Sequence, residues 1–566
     1  MLFIILSWIY ILITTIHLGY FLEKLIRLNN KDFVTTSVLG LFSATILASI
    51  WAIFGRINIE FHVFLLILNF FIFLRHKWNI LEIYKIFITD FRNLTYSLKI
   101  YLIGIIILII AQCAAKPFVI DNESYYIQTI KWINEYGFVK GLANLHIFFG
   151  QTSGWHITQS VFNFSFLYAD FNDLSGFCLM LGSIFAVFKL NSYFDSGIKI
   201  NLIIGLLPIA NVLLFQFISA PSPDLPVYVI SFMIFFYFIN HYNKPSINKF
   251  NLLVILVLFV VYIKPTAIAM LFIPMLFFIT NFKLLKFNLL TSSLLSVIVL
   301  SLFIIKNTII TGYPLYPTQL FSGTNFDFKV PKALISFYFD ETKLYGFYSS
   351  QAEFNSMNQF QILIKWLTFN TINSIFNILN VLLVFISTYF IYKYFNQKKY
   401  WLLYFVMVFQ FGLLLFTSPQ FRFFIQFLLF FSLLIIVCFL NSKRSILILL
   451  FGSSVIVIIL VLVPINYSTL TKNKLITENS HFTILEIVFP HPNSKLSTHF
   501  YKHKIGNLEY NSPDKNSYFW TNSNGKLPCV NSQQINYFKA NYHFIPQMRT
   551  LDLKDGFYSK KVSSNE

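Results

Sequence analysis

Charge is scarce in this chain. Asp, Glu, Lys and Arg make up 11% of its 566 residues, against about 25% in ordinary soluble domains. Too few charges remain to cover a water-exposed surface of that size, which argues against a soluble globular protein. Cysteine is scarcer: Cys113, Cys178, Cys438 and Cys529 are scattered, with no Cys-x-x-Cys pair. Neither a disulfide framework nor a zinc site is indicated. Three of the four lie in or beside apolar segments, where a free thiol acts as a small hydrophobe. No Walker loop, G-x-S-x-G or dinucleotide fingerprint occurs, so those routes to nucleotide binding and acyl transfer drop out. No internal repeat of the transporter kind is evident.

What is present is apolar and aromatic. The chain is 56% hydrophobic, with 70 Phe and 31 Tyr. Hydropathy marks about fourteen spans, near 2–21, 33–54, 58–74, 98–115, 174–190, 199–218, 225–241, 250–264, 266–281, 287–305, 372–392, 400–417, 421–440 and 445–464. The first lacks a basic n-region and a cleavage site, so it is expected to be a span and not a cleaved signal. The eighth and ninth are parted only by Lys264-Pro265, as a tight hairpin or a broken helix. The expected class is an all-α polytopic membrane protein. A transmembrane domain over 1–464 would be followed by a small mixed α/β domain over 465–566.

The net charge of +19 would suggest nucleic acid in a soluble protein, but no basic helix with groove-reading spacing is present. Its distribution explains it better. Every second connection is basic: Lys24, Arg27 and Lys31; then Arg75 to Lys99; Lys189 and Lys199; Lys244 and Lys249; Lys283 and Lys286; Lys393, Lys398 and Lys399; Lys443 and Arg444. The short turns between hold only Arg56, Lys264 and Arg422. By the positive-inside rule the basic connections are cytoplasmic and both termini lie outside. Three long polar pieces then share the outer side: 116–173, 306–371 and the C-terminal 465–566. The turns 219–224 and 417–422 join them. In the first piece, the spacing of Tyr126, Ile127, Ile130 and Ile133 predicts an interfacial helix, with Trp132 and Tyr136 at headgroup level. The run HFTILEIVFP near the C-terminus reads as a strand.

Chemistry-bearing residues gather on that side. Asp121 and Glu123 stand one residue apart at the mouth of an apolar segment. They are a solvated helix end, a general base with its helper, or ligands of a divalent cation. Glu135 reads as a surface charge. Asp224, in the rigid turn Ser222-Pro223-Asp224, is a helix cap, a site residue, or both. Lys264, Lys306 and Arg422 are cations where positive charge is rare, suited to a phosphate or to snorkelling. His146 and His156 lack a third ligand at metal spacing and are expected to pack.

The acidic Asp121-Asn122-Glu123 motif in the first large outer loop resembles that of the multispanning GT-C glycosyltransferases. The stretch from Lys306-Asn307 to Thr311-Gly312-Tyr313-Pro314-Leu315-Tyr316-Pro317 is similar to the "RN…TGNPLYP" segment of their bacterial members, with Lys in place of Arg. The resemblance covers about residues 98–440 and implies a bacterial inner-membrane enzyme with a polyprenyl-phosphate sugar as donor. It would transfer the sugar to a glycan or lipid acceptor of the envelope. Asp121 would be the base, helped by Glu123, with Asp224 shaping the pocket. Arg422, with Lys306 or Lys264, would hold the departing phosphate. The competing classes are a polysaccharide polymerase, a flippase or transporter, and a non-catalytic assembly protein.

Overall fold

A computed structural model describes residues 1–28, 30–286, 289–321, 323, 325–369, 372–468, 476–515 and 517–563. The chain is mostly helical. Among the described residues, eleven helices are long and apolar enough to cross a membrane, which makes it a multi-pass membrane protein. Three shorter apolar helices, Ile247–Ile263, Pro265–Thr280 and Ile425–Val437, fall on the three remaining segments that hydropathy marks.

Local sequence explains the departures from simple spans. The helix Ile59–Asn93 runs for 35 residues, past the expected end of its span, and bends at His76 (φ −128°, ψ 21°). Its second half carries Arg75, Lys77, Lys85 and Arg92, all exposed, so this basic connection is a helix and not a turn. At Lys264 the backbone is extended (φ −145°, ψ 102°), and Pro265 opens a 3-10 turn that leads into Phe272–Thr280. Proline disfavours the α conformation in the residue before it. The result is a hairpin: Phe250, near the start of the first helix, lies 5.9 Å from Phe278, near the end of the second. The first two helices, Leu2–Leu25 and Phe33–Phe54, touch backbone to backbone at Gly19 and Gly40. A Cβ at Gly40 would fall 1.8 Å from the Thr15 carbonyl oxygen, so only glycine permits this approach.

The long polar pieces meet at one end of the bundle. The Ser219 hydroxyl donates to the Lys116 carbonyl at 3.3 Å, and the Tyr316 hydroxyl to the Ile147 carbonyl at 3.0 Å. The C-terminal part is mixed α/β, as expected. It holds β1 (Phe500–Ile505) paired antiparallel with β2 (Leu508–Pro513), the helix Ser532–Tyr542, and β3 (Phe544–Met548) paired antiparallel with β4 (Phe557–Lys561). It covers both long loops. The Ser559 hydroxyl donates to Asn144 Oδ1 at 2.7 Å, the Phe557 N–H donates to the Lys140 carbonyl at 2.9 Å, and Arg549 pairs with Asp327 at 2.7 Å.

Two expectations are corrected here. The helix Ile127–Tyr136 forms as the periodicity predicts, but Trp132 is fully buried within the protein, so its ring is not free to face lipid headgroups. Phe557 of the C-terminal domain closes over it edge-on at 5.6 Å. The run HFTILEIVFP is not a strand; only the short 3-10 turn Ile484–Glu486 forms. Ile484 and Leu485 are exposed, so their apolarity does not reflect a half-buried pleat. This loop instead caps the first helix: the Leu2 and Phe3 N–H groups donate to the Ile487 and Val488 carbonyls at 2.9 and 3.2 Å. These are among the donors a helix N-terminus leaves unpaired.

Candidate functional site

Four charged side chains from four separated segments converge at that end of the bundle. Asp121 ends the loop after the fourth long helix, Tyr96–Ala114. A π-helical turn, Asn122–Tyr126, follows it directly; such turns often mark functional positions. Arg422 lies in the 3-10 turn Phe421–Phe423, between two apolar helices. Its Nη1 donates to Asp121 Oδ2 at 2.8 Å. Both side chains are about one-quarter to one-third exposed, at 27% for Asp121 and 31% for Arg422, so the pair is open to a ligand from outside.

The surroundings hold Arg422 in place. Its Nε donates to Gln420 Oε1 at 2.9 Å, and its carbonyl accepts from the Tyr228 hydroxyl at 2.7 Å. The second long loop fixes the turn: Trp366 Nε1 donates to the Pro419 carbonyl at 3.0 Å. Burial works against the charge on Arg422, but the adjacent Asp121 outweighs it and holds the guanidinium above its ordinary pKa.

Beside this pair stands a second. Lys264 forms an ion pair with Asp224, and its ammonium lies 4.1 Å from the Phe423 ring centre. The Arg422 guanidinium lies 5.2 Å from the same ring. Asp224 is the first residue of the helix Asp224–His241, yet its side chain caps no N–H there. The capping role is therefore not taken up, and the carboxylate faces Lys264. The extended backbone before Pro265 places Lys264 where that pairing is possible.

An aromatic wall runs from Asp121. The Tyr126 hydroxyl lies 3.5 Å from Asp121 Oδ2. The Tyr125 hydroxyl donates to Gln151 Oε1 at 3.2 Å, and Gln151 Nε2 bonds to the Tyr338 hydroxyl. Phe148 stacks on Trp520 at 4.5 Å; both are half-buried. Sequence inspection missed Gln151, Tyr338 and Trp520. Aromatic residues are so frequent here that no local signal separates Tyr338 and Trp520 from the lipid-facing ones, and Gln151 belongs to no motif.

The family described as a domain of unknown function (DUF8201) matches residues 1–429. The chain belongs to that family. No curated protein and no solved structure matches it. The DUF8201 region contains all four converging residues, whereas the whole of the C-terminal domain lies beyond it.

Two further candidates of this DUF8201 chain take other places. Glu123 is buried, at 1% exposure, and points into the C-terminal segment. Its carboxylate accepts from Ser494 Oγ at 2.6 Å, the Lys495 N–H at 2.9 Å and Asn122 Nδ2 at 3.2 Å. Its carbonyl accepts from the Asn522 and Ser523 N–H groups at 2.9 and 2.8 Å. Alternate residues on a turn face opposite ways, so Asp121 reaches the open pair while Glu123 fastens the domain. Lys306 is also buried and makes no ion pair among the described residues; it donates to the Thr152 carbonyl. Between the two lysines expected to accompany Arg422, it is Lys264 that does so.

His146 and His156 are buried as well. Their Nδ1 atoms accept from the Phe148 and Ser153 N–H groups at 3.1 and 3.4 Å. Burial pushes both imidazoles down to about 3, so they are neutral near pH 7. Among the described residues no three His, Cys, Asp or Glu side chains form a group. Asp121 and Asp224 each face a cation already, a donor set poorly suited to a divalent metal.

Proposed function

We propose that this chain is a GT-C-like glycosyltransferase that moves a sugar from a polyprenyl-phosphate donor to a hydroxyl of an envelope acceptor. The observation that carries the proposal is the ion pair of Asp121 with Arg422, 2.8 Å apart, with Lys264 beside it over the same phenyl ring. A base and a phosphate-binding pair are what such a transfer needs at one place. The donor phosphodiester is a monoanion. It would take the planar fork of Arg422, which matches two phosphate oxygens, with Lys264 as a point charge next to it. Arg422 then turns from Asp121 to the phosphate, and the carboxylate is freed. Asp121 accepts the proton of the acceptor hydroxyl as its oxygen attacks the anomeric carbon. The bond from that carbon to the phosphate oxygen breaks, and its electron pair leaves on polyprenyl phosphate. Arg422 and Lys264 stabilise this developing charge, and the anomeric configuration inverts. The Phe148–Trp520 stack offers a flat apolar surface for a sugar face.

We assign the site to the outer face of a bacterial inner membrane, with fourteen spans and both termini outside. The alternation of basic connections supports this. So does the contact of Leu2 with Ile487, since an even number of crossings returns the chain to its starting side. Counting the three shorter apolar helices as spans agrees with that number. The partners of this assignment are the lipid-linked sugar, membrane lipid and a glycan or lipid acceptor. Purified protein incubated with a panel of polyprenyl-phosphate sugars and envelope acceptors tests it by release of polyprenyl phosphate. If the Asp121→Asn protein, inserted and folded, transfers sugar as fast as the unaltered chain, the proposal falls.

A further inference from the structure

A cavity of about 630 Å³ lies away from the four converging charges, at the far end of the helix Ile127–Tyr136. The π-helical turn after Asp121 leads into that helix, which spans ~14 Å at 1.5 Å per residue. Two membrane helices, Phe33–Phe54 and Ile59–Asn93, build the lower walls through Leu47, Ile50, Phe54 and Phe64. These walls are open to lipid: Ile50 is 42% and Phe54 79% exposed. The rim is of another kind. Arg56, Glu60, Glu135 and Lys554 stand around it, all exposed, with Trp51 and Tyr136 between walls and rim. Aromatic residues at this level are where Trp and Tyr sit at a membrane boundary. Gly137 (φ 77°) ends the helix against Gly55, where a Cβ would meet the Gly55 carbonyl oxygen at 2.4 Å. This close approach fixes Glu135 beside the Arg56 turn.

The rim charges are not equivalent. Arg56 and Glu60 pair with each other at 2.6 Å. Glu135 and Lys554 form no ion pair among the described residues, and they come from different segments on the same rim. Arg56 feels the charge of Glu135 but pairs directly with Glu60, so a cavity with acyl-sized apolar walls, one anion and one cation outside any direct ion pair is complementary to a zwitterionic lipid. We infer that this cavity binds one phospholipid with a phosphoethanolamine headgroup. Its acyl chains lie on Ile50, Phe54 and Phe64. Lys554 takes the phosphate. Glu135 accepts hydrogen bonds from the primary ammonium, which a quaternary choline nitrogen cannot donate. An anionic glycerol headgroup would satisfy Lys554 but offer Glu135 only neutral hydroxyl donors, without the positive charge of an ammonium.

The test is native mass spectrometry of the full chain, equilibrated in detergent with equal amounts of dioleoyl phosphatidylethanolamine, phosphatidylcholine and phosphatidylglycerol. One ethanolamine lipid is expected to be retained about threefold over each of the others, the size of effect one exposed charge pair supports. Glu135→Gln should remove the preference over choline, and Lys554→Gln should weaken retention of all three lipids. Both side chains are exposed, so neither change removes packing. Equal retention of the three lipids by the unaltered chain overturns the inference. So does a preference that both variants keep.

Discussion

Asp121 and Arg422, 301 residues apart in sequence, meet at 2.8 Å across the open end of the bundle. Each is the counter-charge of the other, so neither is free until something competes. In the proposed reaction the competitor is the donor phosphate, and the base becomes available only once the donor is bound.

Asp121→Asn should leave the fold intact and lower sugar transfer by about 10²–10⁴-fold, the usual contribution of a positioned general base. Arg422→Lys keeps the charge but loses the two-oxygen fork. It is expected to raise the KM for the lipid donor more than the KM for the acceptor. Initial-rate kinetics with both substrates varied check both, and acceptor binding measured without donor should be weak.

Asp224 is 3% and Lys264 16% exposed. Lys264→Met strands a buried carboxylate, which costs about 3–5 kcal/mol when a buried pair is broken from one side. Lys264→Met combined with Asp224→Leu should regain most of that stability while transfer stays low. Thermal unfolding in detergent, read beside activity, separates the two effects.

Glu123→Gln should act on the C-terminal segment before it acts on chemistry. One carboxylate oxygen that accepts from Ser494 or Lys495 becomes an amide that opposes a donor, at about 1–3 kcal/mol. Faster hydrogen exchange at residues 494–496 is the expected signature. Unchanged exchange there, with transfer abolished, would return Glu123 to the catalytic centre.

His146 and His156 give the stability a defined pH dependence. Their folded-state values of about 3 lie below the unfolded value of about 6.5. The unfolded chain therefore binds more protons between those limits. Stability contributed by the neutral rings is complete above about pH 6.5 and falls steadily as pH drops towards 3, by about 1.4 kcal/mol per unit for each ring. The difference in melting temperature between the unaltered chain and His146→Gln should shrink from pH 7.5 to pH 5. A constant difference would show that the ring takes a proton in the folded state.

Much of this protein is legible without coordinates. The apolar segments, the basic connections and the gathering of 116–173, 306–371 and the C-terminal part at one end follow from hydropathy and charge, because lipid imposes length and composition on each helix separately. Asp121, Asp224, Lys264 and Arg422 stood out for a related reason: ionisable groups at hydrocarbon edges are costly and hence few. Which of them meet is decided by packing alone. No property of a local segment tells that Asp121 faces Arg422 while Glu123 turns to Ser494, or that Lys264 and not Lys306 shares the Phe423 ring. Burial of Trp132 under Phe557 is a contact between distant segments in the same way. Chain composition determined the helices and their common end; the pairing of charges, which depends on distances between residues hundreds of positions apart, belonged to the tertiary structure.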